Sequence, residues 1–301
     1  LDPVAPEGFL RMGISLMSVA FYEAEHGQDP SGSIAQGKKA LLRSIELRPE
    51  GFLGSLTLSR LERVQARWLL AHGQDASAAI AGQEARAQQA REANAEMAVV
   101  SGWLRCQAQL TRATQAVAAG ADPLAAFDAA AEACRKEQGA RPAPILQRVE
   151  AWIRTLQAAA LAQSGQDPRA ARAEVLIAAS DGPAVTAETH YLRGRLALAE
   201  QRGAAALALA KSLLQESPRW PLSHLLSART SLLLDDPRAG LAAVDEALSL
   251  HADWAEALAL KASLEERLAA KTKDPLLQQR AASDLAKAKA INPRVDWTFL
   301  E

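Results

Sequence analysis

Asp-Pro recurs along this chain at a nearly fixed interval, and no other feature narrows its fold as much. Asp29-Pro30, Asp122-Pro123, Asp167-Pro168, Asp236-Pro237 and Asp274-Pro275 each close one apolar-periodic stretch and open another, with Asp75-Ala76 in the early gap. Asp29, Asp75, Asp122 and Asp167 stand 46, 47 and 45 residues apart. Three of these sites share a longer word: Gly27-Gln28-Asp29, Gly73-Gln74-Asp75 and Gly165-Gln166-Asp167. Each word has the chemistry of a helix–helix joint. Gly ends one helix in the left-handed conformation, Asp caps the next, and Pro takes its first position, where a missing N–H costs nothing. Repetition at this period predicts an all-α chain, a right-handed α-solenoid of about seven antiparallel helical hairpins.

Composition agrees. Hydrophobic residues make up 49% of the 301 positions but aromatic residues only 4%, so much of the apolar content is Ala, the strongest helix former and small enough to let helices approach closely. A net charge of −1 argues against a nucleic-acid or anionic-membrane partner. No apolar run reaches the roughly 18 residues of a membrane span, so membrane insertion is not expected. Leu1 in place of Met is expected of a fragment or processed product, and Leu300-Glu301 of a cloning scar. No signal-type segment is expected among the residues ahead of the first turn. The expected location is the cytoplasm, with the periplasm as the alternative if a leader or anchor lies upstream.

The expected turns fall near Gly27, Gly73, Gly120, Gly165, Gly203, Asp236 and Asp274. Breaks between hairpins are expected near Pro49, Asn94, Pro142-Ala143-Pro144, Asp181-Gly182-Pro183, Pro218 and Ala252. The first part, 1–183, reads as four long hairpins of 45–47 residues, and 184–301 as three shorter ones stacked continuously on them. In the shorter units Gly194, Ala228 and Ala262 recur every 34 residues, as do Trp220 and Trp254, Ala206 and Gly240, and Pro218 and Ala252. Small residues are expected at the first two kinds of position because crossing helices leave no room for more.

On these residues the chain resembles the tetratricopeptide repeat, whose unit is two antiparallel helices in about 34 residues. That unit has small residues at its eighth and twentieth places and a terminal Pro. Residues 187–220 carry Gly194, Ala206 and Pro218 there. Residues 221–254 carry Ala228, Gly240 and Ala252. In the last unit Ala262, Ala281 and Pro293 match with four residues added at the hairpin loop. The long Ala/Arg/Leu-rich units with Gly-x-Asp-Pro joints also look like the C-terminal repeat regions of large bacterial, myxobacterial-type Ser/Thr protein kinases. No kinase motif lies within the chain itself: a Gly-rich phosphate loop, His-Arg-Asp and Asp-Phe-Gly are all missing.

The resemblance implies a protein-interaction scaffold without catalytic residues, metal or cofactor. Its alternative is a stand-alone adaptor in bacterial secretion or complex assembly. The fifth, ninth and twelfth places of the repeat face the concave groove in this family. Tyr191, Arg195 and Leu198, with Leu225, Arg229 and Leu232 one repeat later, are therefore the expected partner-binding residues. Arg there would pair with carboxylate or phosphate. The oligomeric state is left open by these residues, and Asn, restricted to Asn94 and Asn292, cannot build the Lys/Asn clamp that grips chaperone tails.

The remaining chemistry-bearing residues read as packing. His190 and His224 occupy one place in successive repeats, with no third ligand nearby for a metal. His26 and His72 meet the negative ends of long helices, and His251 reads as a loop residue without company. Trp103 and Trp152 are expected in the core, while Trp220, Trp254 and Trp297 are expected to seal one hairpin against the next. Cys106 and Cys134 stand fourteen residues either side of Gly120 and are expected as packed, reduced thiols, a disulfide being the lesser alternative.

Overall fold

A computed structural model describes residues 5–138, 143–180 and 187–295. Trp297, Pro142, Leu1, Leu300-Glu301 and the Asp181-Gly182-Pro183 break lie outside the described residues. Among those described there are fourteen α-helices and no strand. Helices α1 (Pro6–Glu25), α2 (Ser31–Leu47), α3 (Phe52–Ala71), α4 (Ser77–Ala93), α5 (Ala98–Ala118) and α6 (Pro123–Gln138) come first. They are followed by α7 (Pro144–Gln163), α8 (Ala173–Ser180), α9 (Ala187–Ala199) and α10 (Gly203–Glu216). The last four are α11 (Pro221–Leu233), α12 (Pro237–Leu250), α13 (Ala255–Thr272) and α14 (Pro275–Ile291). Helices next in sequence pack as pairs, α1 with α2, α9 with α10, α11 with α12 and α13 with α14.

The joints follow the local chemistry. Gly27, Gly73, Gly120 and Gly165 have φ of 71°, 65°, 96° and 70°, the left-handed region that ends a helix without a Cβ penalty. Asp29, Asp75, Asp167, Asp236 and Asp274 each accept a following backbone N–H through Oδ1 at 2.9–3.2 Å. Later turns depart from the Gly rule. Gln201, Asp235 and Lys273 take the positive φ instead, at 58°, 58° and 59°. Gly203 is therefore not the turn residue. It opens α10 and is small because Leu234 Cδ2 lies 2.6 Å from where its Cβ would stand.

One small residue sits seven places before each of six left-handed residues: Ala20, Ala66, Ala113, Ala158, Gly194 and Ala228. All six are buried, and each first helix ends five residues after its own. The long and short units thus share one register at the turn and differ at the opposite end. The helices α1, α3, α5 and α7 begin fourteen or fifteen residues before that small residue, whereas α9 and α11 begin seven before it. The last unit breaks the interval. Ala281 follows Ala262 by nineteen places, whereas Ala206 follows Gly194 by twelve, so the addition is seven places and not four. It lies chiefly in α13, which is 18 residues long where α9 and α11 are each 13, and not in the loop.

The chain divides into two compact units. The first is Leu1–Leu70, Gln74–Ala121 and Ala125–Glu150; the second is Ala71–Gly73, Asp122–Leu124 and Ala151–Glu301. Within the first, Ala20, Ile34, Leu41, Ile45, Leu58, Leu61 and Val64 form one continuous apolar cluster across α1, α2 and α3. Leu56, Ala87, Ala90 and Leu104 form another across α3, α4 and α5, where the Arg63 guanidinium lies 4.8 Å from the half-buried Trp103 ring. Two buried hydrogen bonds link these three helices: Ser59 Oγ donates to Gln83 O at 2.7 Å, and Gln83 Nε2 donates to Leu104 O at 2.6 Å.

Cys106 on α5 and Cys134 on α6 are bonded as a disulfide, with Cα atoms 4.8 Å apart and both residues fully buried. This corrects the expectation of reduced thiols. Rotation of the two helices about their axes decides whether the pair meets, and here the crossing brings both side chains inward. The pair has equivalents fourteen residues either side of the earlier turns, Gly13 with Leu41 about Gly27 and Ser59 with Ala87 about Gly73. Leu41 lies against Gly13 where a Cβ would stand.

Candidate functional site

The six expected partner-binding residues all lie in the second unit, on or at the ends of α9 and α11. Tyr191 and Arg195 stand four apart on α9, one above the other. Tyr191 is fully buried between Trp152 of α7 and Trp220, its ring centroid 5.4 Å from each, tilted 38° and 59°. Both indoles are half-buried here, Trp220 sealing the approach to α11. Trp152 Nε1 donates to Glu188 Oε1 on α9.

Arg195 turns inward as well. It is 3% exposed, its Nη1 donates to Tyr191 Oη at 2.9 Å, and its guanidinium lies 5.8 Å from the ring centroid. Arg229, on α11, forms an ion pair with Glu256 of α13 and keeps about a fifth of its side chain exposed at 21%. Burial first, then the Arg195 charge, push the Arg229 guanidinium down to about 9, with Tyr191 opposing. It stays protonated at neutral pH. Leu225 is fully buried with Val244, Trp254 and Leu264, while Leu198 and Leu232 are half-buried at the edges of their clusters.

The row expected to face a partner is therefore drawn largely into the fold. Tyr191, Arg195 and Leu225 have no surface to offer, and Arg229 is paired internally. Trp152 and Trp220 enclose Tyr191, and the second residue of each first helix adds to this cover. Glu188, Leu222 and Glu256 are spaced as Gly194, Ala228 and Ala262 are, six places ahead of each. They reach back onto the preceding first helix, Glu188 to Trp152 and Glu256 to Arg229. Leu222 packs into the clusters of both Tyr191 and Leu225. The sequence reading missed these residues, although their even spacing was there to be read. Leu198, Leu232 and the outer part of Arg229 remain accessible.

Two carboxylate groupings lie apart from this row. In the second unit Lys261 Nζ lies 2.8 Å from Asp245 and 3.9 Å from Asp284, whose other contact is Lys287 at 3.1 Å. Beside them Glu265 is 4% exposed, and its Oε2 has no hydrogen-bond partner. Burial first and the Asp284 charge second raise its carboxyl above the ordinary range, against Lys261 and Arg280. In the first unit burial likewise raises Glu62, opposed by Lys38 at 3.4 Å.

Four of the five histidines have local contacts. His26 Nδ1 lies 2.8 Å from Tyr22 O at the end of α1, and its ring stacks on Tyr22 at 4.0 Å. His190 lies 2.9 Å from Glu216, and His224 Nε2 lies 2.7 Å from Pro218 O. His251 is not alone as expected: its ring stacks on Trp254 at 5.4 Å. Among the described residues no group of three or more His, Cys, Asp or Glu is placed to hold a metal ion, and no helix is long and apolar enough to cross a membrane. No protein-family model matches the sequence, and a comparison with curated proteins returned no match.

Proposed function

We propose that the chain is a non-catalytic interaction scaffold, a right-handed solenoid of seven helical hairpins stacked in the tetratricopeptide manner. A peptide or helix of a protein partner binds along its first helices. The observation that supports this reading is the register: one buried small residue seven places before each of six left-handed residues that end a first helix, as expected when each hairpin repeats the same crossing. The resident role is that of a regulatory arm in a signalling protein such as a Ser/Thr kinase, or of a stand-alone adaptor in secretion or complex assembly.

The partner surface is narrower than the sequence row. It comprises Leu198, Leu232 and the exposed edge of Arg229, so an apolar segment with a carboxylate suits it best. The test is crosslinking of the full chain in its source cells, repeated with Leu198→Asp/Leu232→Asp, circular dichroism confirming that the variant folds. Loss of one specific crosslinked protein with the fold retained is the expected result. Unchanged recovery of every specific partner refutes binding along this face.

A further inference from the structure

We infer that the Cys106–Cys134 bond is a built-in staple of the α5–α6 hairpin, and hence that the protein folds and works in an oxidising compartment, not in the reducing cytosol. The inference is independent of the groove reading. It rests on three observations. The chain's two cysteines are both spent on this one contact. They occupy the register position that Gly13/Leu41 and Ser59/Ala87 occupy about the earlier turns, each pair including at least one very small side chain. The helices cross there closely enough that the Cα atoms stand 4.8 Å apart, within the span a disulfide requires.

Burial adds direction. Both cysteines are fully buried, with a backbone carbonyl near each sulfur, Cys134 O for Cys106 and Leu146 O for Cys134. An oxidant cannot reach them once the hairpin has closed, so the bond forms while the segment is still open. The two thiols release two protons, and two electrons pass to the disulfide of a thiol–disulfide oxidoreductase, which leaves as a dithiol. After closure the same burial shields the bond from small reductants. Bonds of this kind persist where the surroundings are oxidising and are rare in cytosolic proteins. The cytoplasmic expectation is replaced by an extracytoplasmic one, which favours the adaptor setting over a cytosolic kinase arm.

The decisive experiment uses the native protein, acid-quenched from its source cells, unfolded and alkylated with and without prior reduction, then weighed by mass spectrometry. The expected result is no alkylated cysteine without reduction and two after it. Two alkylated cysteines without reduction overturn the inference. On the purified full chain, millimolar dithiothreitol should leave the bond intact in buffer and cleave it in urea; rapid cleavage of the folded chain contradicts the staple. Cys106→Ala/Cys134→Ala, which folds without the crosslink if the hairpin is otherwise sound, should melt roughly 5–10 °C lower. An unchanged Tm would mean that the bond holds nothing together.

Discussion

Gly194→Ala sets two rules of this fold against each other. Five of the six register-equivalent positions carry Ala, and Ala in a helix interior is favoured over Gly by about 0.8–1.0 kcal/mol, so pattern alone says the substitution stabilises. The structure says otherwise. A Cβ on Gly194 would stand 2.5 Å from Leu226 Cδ2, 3.1 Å from Cδ1 and 3.3 Å from Cγ. Leu226 is fully buried among Tyr191, Ala210 and Leu213 and has nowhere to retreat. Overpacking of a filled core costs about 1–3 kcal/mol. The balance is a net destabilisation of about 1 kcal/mol.

Removing the obstacle reverses the sign. Leu226→Ala alone costs about 2–5 kcal/mol, but in that background Gly194→Ala should stabilise by about 1 kcal/mol, helix propensity acting unopposed. The coupling between the two sites is then about 2 kcal/mol, within the range for residues in contact. Urea unfolding of the four full-length proteins, followed by far-UV circular dichroism and by hydrogen exchange in α9–α11 peptides, measures it. If Gly194→Ala stabilises equally with Leu and Ala at position 226, the close crossing is not what keeps glycine there.

Four further outcomes are expected. The raised carboxyl of Glu265 means that the folded chain binds its proton more readily than the unfolded chain. Its contribution is complete below about pH 4.5 and is lost as pH rises through the higher folded value. Glu265→Gln should therefore slow hydrogen exchange in α13 and α14 at neutral pH and flatten its pH dependence; an unaltered profile refutes the assignment. Arg229→Met strands the Glu256 carboxylate and should cost about 3–5 kcal/mol, most of it recovered in Arg229→Met/Glu256→Leu; equal losses in both, by urea titration, would mean that the ion pair is incidental. Gln201→Gly should stabilise by about 1 kcal/mol by relieving a positive φ, read as a raised urea midpoint. Ser59→Cys/Ala87→Cys should close a second disulfide on oxidative refolding, because those positions repeat Cys106 and Cys134 about Gly73; free thiols after refolding from urea in the presence of oxidised glutathione would break the register argument.

The parts of this fold legible in advance were those set by local chemistry. Asp29, Asp75 and Asp274 cap because a side-chain oxygen two residues away reaches an N–H whatever surrounds it. Gly27 and Gly73 turn because a backbone without Cβ bends left-handed at little cost. Gln201 and Lys273 were not legible as turn residues, since neighbouring helices impose their φ against preference. The burial of half of the candidate row was hidden for a related reason. Positions 191, 195 and 225 keep the spacing of the repeat, but exposure depends on what neighbouring helices send back, and Leu222 packs against both Tyr191 and Leu225 while Glu256 pairs Arg229. Cys106 and Cys134 were placed at equal heights by counting. Whether they met depended on helix rotation, which the packing of α5 on α6 fixes and no local pattern records.

The extra turns of α1, α3, α5 and α7 lie at one end only, so a first helix can change length without disturbing its turn. At about 1.5 Å per residue, seven additional residues make such a helix about 10 Å longer than α9 or α11. An insertion or deletion of about two helical turns at the opening end leaves the small residue and the left-handed residue seven places apart. The same change made between those two residues shifts one against the other and should be tolerated far less.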